Sequence, residues 1–440
     1  MKIALIAMSG IRVCDTELLE LGLTLPGFVE RSKTIASLPS LGLLTLAGMT
    51  PPEHEIHYIE SEDLVQEGSY PIVPGGYDLV GISTYSAQIF EAYEIARRYQ
   101  EMGIPVVMGG PHVSVLPEEA LEHCDCVVVG EGELHWNGLL EDADGGTLQT
   151  VYGSLDDEYD LAGAPMPAFT ILDMDRYNRI TVQTSRGCPH SCEFCASSVI
   201  IAGKYKQKPA EKVLEEIDAI VALWDRPFIE FADDNTFVNK AYWKELLPEL
   251  AGRNIRWFTE TDISVADDED LLRMLRDAGC AQLLIGLESP ERGSLDGVET
   301  KSNWKLKKFD DYRKAIDRIQ SHGISVNGCF VLGLDGHGPD IFDRVFEFVK
   351  DTRLHEVQIT LQTAFPGTAL YDRLKAEGRL LKETAWETCS LFDLNFKPVG
   401  MTEMELKKGL RELGQRIYSD EFTTWRRREF RQKLRTARHQ

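Results

Sequence analysis

The run Ser185-Arg186-Gly187-Cys188-Pro189-His190-Ser191-Cys192-Glu193-Phe194-Cys195 sets three thiols at CxxxCxxC spacing, with an aromatic residue just before the last. Three thiolates are one short of the four protein ligands that close a structural zinc site or an ordinary iron–sulfur cluster. On a four-iron cube they leave one iron free to bind a second molecule. The other readings are a zinc knuckle or chance spacing. The Gly-Cys-Pro entry and the strand pattern around the run weigh against both.

Downstream, apolar and β-branched runs at 180–186, 228–234, 256–261, 282–288, 325–332 and 357–363 alternate with helical patterns such as 210–223, 268–278 and 309–322. Six βα units are too few for an eight-stranded closure, so a partial (β/α)6 barrel open on one side is expected. Upstream, strand-like runs at 3–8, 55–60, 79–85, 105–110 and 126–130 surround a helix at 87–102 with Ile89, Tyr93 and Ala96 on one face. This is the rhythm of an α/β, Rossmann-like (flavodoxin-like) parallel sheet. A polar stretch at 141–160, closed by Ala164-Pro165-Met166-Pro167, marks a boundary. The expected division is 1–162, 163–381 and a small, mainly helical region at 382–440. In that last region Trp386, Phe392, Phe396 and Trp425 are expected to cap the open barrel, and the arginines from Arg426 onward read as a solvated face.

A chain of 440 residues fits two or three domains. With 47 Lys and Arg against 71 Asp and Glu, the net charge of −24 repels phosphate backbones and anionic lipid, so neither nucleic acid nor membrane is an expected partner. No signal peptide or membrane span is read, and a cytoplasmic setting is expected. Nine cysteines, three of them in an open cluster motif, suit a reducing compartment. Cys14, Cys124, Cys126, Cys280, Cys329 and Cys389 read as small core residues.

At the cysteine run, and at the strand ends that follow it, the chain resembles the radical S-adenosylmethionine (SAM) superfamily. The resemblance implies that Cys188, Cys192 and Cys195 hold a [4Fe-4S] cluster, that SAM chelates the open iron, and that Phe194 lies near the adenine. Asp233 and Asp234 stand where the family often has a Gly-Gly-Glu element that receives the SAM amino group, which is the favoured reading; the alternative is a helix cap at Asp234 or Asn235. Glu288-Ser289 resembles the element that bonds the ribose hydroxyls. Gly328 and Gly333 resemble the glycine-spaced element beside the adenine.

Ahead of the cysteines, Ser37-Leu38-Pro39-Ser40-Leu41-Gly42, Gly109-Gly110-Pro111-His112 and Gly130-Glu131-Gly132-Glu133 resemble the cobalamin (B12)-binding domain of class B radical SAM enzymes. The corrin would rest on the carboxyl edge of the first sheet, near Pro39, Gly42, Ser83, Thr84, Gly109, Gly110, His112, Gly130, Glu131 and Gly132, with small residues making room for its nucleotide tail. The Asp-x-His-x-x-Gly motif that gives cobalt an axial histidine is absent from the first domain, and His112 reads as a loop hydrogen-bonder rather than a ligand.

The resemblance implies a methyltransferase acting on an unactivated carbon of a small or medium-sized metabolite: a 5'-deoxyadenosyl radical takes a hydrogen and methylcobalamin supplies the methyl group. It also implies a small-molecule substrate and a reductant such as flavodoxin or ferredoxin. Cyclisation or oxidative rearrangement with the same cofactors, and a non-catalytic carrier, are the alternatives. No general acid or base is identified, because the hard chemistry belongs to the cofactors.

Overall fold

Strand β1 (Lys2–Ala7) turns Ile3, Leu5 and Ala7 to one face and Ala4 and Ile6 to the other, and both sets are buried, so it must lie inside a sheet covered on both sides. Residues 1–8, 10, 12–20, 38–64, 73–196 and 204–437 are described in the computed structural model; Ser37 of the cobalamin-like motif lies outside them. The first sheet adds β2 (Glu55–Glu60), β3 (Leu79–Ser83), β4 (Val106–Gly109), β5 (Cys126–Val128) and β6 (Val151–Tyr152). It is wholly parallel, in the order β2-β1-β3-β4-β5-β6. The direction of winding reverses between β1 and β3, where open α/β sheets form a crevice at their carboxyl ends. Strand β6 lies inside the stretch read as a boundary; two residues carry no periodicity to read.

The second sheet holds β7 (Ile180–Val182), β10 (Phe228–Phe231), β11 (Arg256–Thr261), β12 (Cys280–Glu288), β13 (Ser325–Leu332) and β14 (Glu356–Leu361). All pairs are parallel, the strands lie in chain order, and β7 and β14 form its two edges: the expected partial barrel. The run expected as one strand, 180–186, is broken. After Val182 the chain leaves the sheet, and β8 (Ser185–Arg186) pairs antiparallel with β9 (Lys206–Gln207) in a short ribbon that leads into the cysteines.

The C-terminal region divides its aromatics. Phe392 and Phe396 join the barrel core as expected, whereas Trp386 packs into the core of the first sheet. Two helices follow, Glu403–Ile417, opened by a Thr402/Glu405 capping box, and Asp420–Ala437. The basic end is not uniformly solvated. Arg426 is fully buried and donates to the carbonyls of His355 (2.7 Å) and Ile417 (3.2 Å), beside the Glu356 carboxylate at 3.6 Å. Arg427 and Arg428 are exposed. Removing a buried charge partner is expensive, so Arg426→Ala is expected to destabilise the protein by about 3 kcal/mol. In denaturant unfolding, Arg428→Ala should stay within about 0.5 kcal/mol of the parent.

Candidate active site

The cysteine loop is turned by two neighbouring carboxylates at the end of β10. Asp233 accepts the Thr184 amide (2.7 Å), the Thr184 hydroxyl (2.5 Å) and the Ser185 amide (2.9 Å). Asp234 accepts the amide of Gly187 (2.7 Å), whose φ of +90° suits glycine. Burial pushes the Asp233 carboxyl up to about 6 despite these bonds. Both Asp233 oxygens are therefore committed beneath the loop, not presented to a SAM ammonium. The capping alternative is not realised at Asn235 either: its side chain makes no cap bond and donates instead to Asp262 (2.8 Å) and toward Cys188 Sγ (3.8 Å). Asp262, following β11, also meets His190 (3.3 Å) and the Ser264 amide (2.8 Å). Burial opposes its ionisation, yet the bonds from His190, Ser264 and Asn235 outweigh it and hold the carboxyl far below the usual range.

The other flank of the loop is held by residues that no motif marks. Cys192 and Glu299 form a bridge, the Glu193 amide donates to Val298 O (2.9 Å) and the Thr300 amide to Ser191 O (2.9 Å). Glu299 gathers the amides of Ser191 (3.1 Å), Ser302 (2.8 Å) and Trp304 (3.2 Å) and the Ser302 hydroxyl (2.6 Å); burial resists, but these bonds bring its carboxyl to about 2. Arg373 grips Glu193 with two bonds, 3.0 and 2.8 Å. Phe194 packs on Val298, Val331 and Leu334.

Glu288 closes β12 at a bulge, with φ +63°, and accepts from Lys305 Nζ (2.8 Å), which also reaches Gly286 O (2.7 Å). A Cβ on Gly286 would collide with both charged groups. Burial disfavours the Lys305 ammonium, but Glu288 and Cys192 attract it and raise its pKa. Ser289, expected at the ribose, is buried instead, its hydroxyl bonded to Ser294 (2.8 Å) and His337 (3.0 Å). Burial drops His337 to about 4, so the ring is neutral. At Gly328 and Gly333 protein already occupies the side-chain direction, Leu354 and Leu287 at the first, Leu406 and Phe396 at the second.

At the first sheet the small residues divide into two kinds. A Cβ on Gly42 would meet nothing within 4 Å, so space lies open beside the helix Leu41–Met49. Gly110 and Gly130 have positive φ, and a Cβ would lie 2.5 Å from Thr84 O and 2.6 Å from Ser154 O, so neighbouring backbone already accounts for them. Gly109 and Gly132 have only ordinary contacts, Pro39 and Thr84 are buried, and Ser83 ends β3. His112 is fully buried, bonded to Ser86 (3.0 Å) and Glu119 (3.3 Å) and packed edge-on against Trp386; burial lowers its pKa. Glu131 is likewise taken by protein, with Arg186 at 2.5 Å and the Tyr159 amide at 2.6 Å. Neither residue is free to face a corrin.

Tyr85, which the sequence reading passed over, follows β3 and is 63% exposed, yet burial and Glu230 push its phenol up. It thus stands exposed beyond β3, with Glu230 of the barrel close enough to act on it. Glu260 is in the same position: its carboxyl rises to about 7, by burial first, then by Glu230, Asp234 and Glu288. Cys329 also stands apart from the core: partly exposed, its thiol raised by burial and by Glu260 and Glu288. Cys14 is exposed, while Cys124, Cys126, Cys280 and Cys389 are buried as expected.

The donor set fits a cluster. Burial pushes Cys192 up to about 12 and raises Cys188, so thiolates there depend on a bound cation. Among the described residues no three His, Cys, Asp or Glu are gathered to hold a metal ion, and Cys188, Cys192 and Cys195 are free and partly buried on one loop. Gly42 and Tyr85 both expose surface beside the carboxyl edge of the first sheet.

Residues 34–139 match the B12 binding domain, residues 182–349 the Radical SAM superfamily, and residues 368–440 a domain of unknown function, DUF4070. The chain is a radical SAM enzyme with a B12-binding domain. This radical SAM enzyme is 29% identical over 377 residues to the bacteriochlorophyllide d C-8(2)-methyltransferase of Chlorobaculum tepidum, covering 81% of this chain and 80% of that one. It is 24% identical over 419 residues to the anaerobic magnesium-protoporphyrin IX monomethyl ester cyclase of Cereibacter sphaeroides, covering 86% of this chain and 65% of the relative. Its fold is similar to that of the radical SAM methyltransferase TsrM of Kitasatospora setae, solved with cobalamin and a [4Fe-4S] cluster, at a TM-score of 0.69 and 16% identity over 100% and 99% of the two chains. The cofactors of the radical SAM enzyme are accordingly a [4Fe-4S] cluster, SAM and cobalamin. Among the described residues no helix is long and apolar enough to cross a membrane.

A carboxyl whose pKa rises on folding penalises the fold once pH exceeds its unfolded value of 4.5, and the penalty is complete near the folded value of about 7. Glu260→Gln is therefore expected to raise the melting temperature of the cofactor-free protein at pH 8 and to change it little at pH 4. Equal melting of variant and parent at pH 8 would show that Glu260 is not enclosed with other carboxylates.

Proposed function

We propose that this enzyme methylates an unactivated carbon of a small or medium-sized organic metabolite. The observation that supports the proposal most is the direct contact between the start of the cysteine loop and the carboxyl edge of the first sheet, Arg186 to Glu131 at 2.5 Å, by which a cluster on the loop would lie beside a corrin on that edge. When bound, SAM on the cluster supplies a 5'-deoxyadenosyl radical, and cobalamin relays a methyl group. The chain's part is to hold and enclose. Cys188, Cys192 and Cys195 hold the cluster, on a loop fixed by Asp233, Asp234, Asp262 and Glu299. Glu288, Lys305 and Phe194 receive SAM. Gly42, Ser83, Gly109 and Gly132 line the corrin site, and Tyr85 stands beside it beyond the end of β3.

Glu230 and Glu260 line the space left for the substrate. A Glu260 carboxyl near 7 can accept or return a proton at neutral pH, and the enclosing walls keep water from the reacting carbon. A reducing cytoplasm with a flavodoxin or ferredoxin donor suits this chemistry. The domains of this reading are 1–162, 163–381 and 382–440, the last serving both cores through Trp386 and Phe396. A second reading, rearrangement or cyclisation without methyl transfer, is supported by the similarity to the anaerobic cyclase.

The two readings differ before any substrate is known. With reduced, cobalamin-loaded protein and SAM alone, methyl transfer predicts one S-adenosylhomocysteine per bound cobalamin and then a stall, measured by mass spectrometry. 5'-Deoxyadenosine without S-adenosylhomocysteine would favour the rearrangement reading.

A further inference from the structure

An ionic cluster spans the two sheets. Arg186, at the end of β8, donates to Glu131 Oε1 (2.5 Å) and Glu133 Oε1 (2.9 Å), both just beyond β5. Lys206, opposite it on β9, donates to Glu131 Oε2 (2.5 Å) and Tyr159 O (3.1 Å), and the Tyr159 amide completes the shell of Glu131. The side chains of Arg186, Glu131, Glu133 and Lys206 are 14%, 2%, 11% and 16% exposed. Two cations and two anions are thus shielded together, and burial of Glu131 is outweighed by Lys206, the Tyr159 amide and Arg186, which hold its carboxyl below the usual range.

The chemistry of the loop does not require this arrangement. Arg186 ends two residues before Cys188, and the ribbon that carries it has only two residues per strand, too short to be rigid alone. The charges that stiffen it come from the other domain. A guanidinium is suited to the task because its planar fork engages two carboxylates at once and fixes direction as well as distance.

We propose that Arg186 is a positioning residue that locks the cluster loop to the B12-binding domain, so that cluster and cobalamin keep one separation during turnover. This rests on the reading above that both cofactors bind here. Reactions between two held groups lose rate steeply when one is displaced by an ångström, so the clamp acts on coupling between the cofactors and not on their retention.

The test uses full-length protein loaded with both cofactors and reduced until cluster and cobalt are each paramagnetic, with the dipolar coupling between them read by pulsed electron paramagnetic resonance. The wild type should give one narrow distance distribution. Arg186→Gln should keep its iron and cobalamin but show a broadened, shifted distribution; Arg186→Lys, with charge but no fork, should fall between. Glu133→Gln, which leaves the Glu131 bond, should broaden less than Arg186→Gln. An unchanged distribution in Arg186→Gln would overturn the inference, as would loss of iron in that variant, which would make Arg186 a cluster-retaining residue. Wild-type protein that fails to bind cobalamin at all would overturn the functional reading, and the inference with it.

Discussion

The structure depends on a constraint at one turn: three thiols must leave the edge of a parallel sheet and point back over its carboxyl end. Backbone torn from a sheet loses its ladder partners, and buried amides without acceptors are costly. Asp233 and Asp234 supply those acceptors to Thr184, Ser185 and Gly187. The cost is visible in Asp233, whose carboxyl burial pushes up to about 6 even with three donors. Asp262 and Glu299 repeat the device on either side, so the loop rests on four carboxylates, each satisfied by amides or side-chain donors.

Those carboxylates belong to a wider pattern. Glu230, Glu260 and Glu288 project into the barrel, where Arg179 (2.5 Å from Glu230) and Lys305 (2.8 Å from Glu288) offset two of them. An enclosure with this much negative charge in low dielectric favours ligands that bring positive charge or donor groups, and SAM, a sulfonium with an ammonium, is one. Burial, more than this charge, opposes thiolate formation at Cys192 and Cys188. A cationic metal group bound at these two thiols would displace their protons, so metal binding and proton release would be coupled there.

Much of the fold was legible because its signals are periodic. The alternation of Ile3, Leu5 and Ala7 with Ala4 and Ile6, and the apolar faces of the helices, announce both sheets and their layers. Strands of two residues, β6, β8 and β9, have no period and stayed invisible, as did the break after Val182. Of the site, the cysteines were legible because they are neighbours in sequence. Glu299 and Arg373 were not: they reach the loop from 108 and 180 residues away and belong to no motif. Motif glycines and acids are harder to read. Gly110, Gly130, Glu131 and Ser289 sit in the right motifs, yet neighbouring backbone or side chains satisfy them, and a sequence does not distinguish a residue shaped for a ligand from one shaped for its own fold. Arg426 misled in the opposite direction, a buried arginine within a basic run.

The central claim is that a cluster on the 188–195 loop and a cobalamin on the carboxyl edge of the first sheet face each other across one cavity. Anomalous diffraction from the fully loaded protein at the iron and cobalt absorption edges locates both metals directly. The account predicts iron bound by Cys188, Cys192 and Cys195, and cobalt beside Tyr85 between β3 and β4 on the side of the barrel mouth. Iron held elsewhere, or cobalt on the opposite edge of the first sheet, would contradict it.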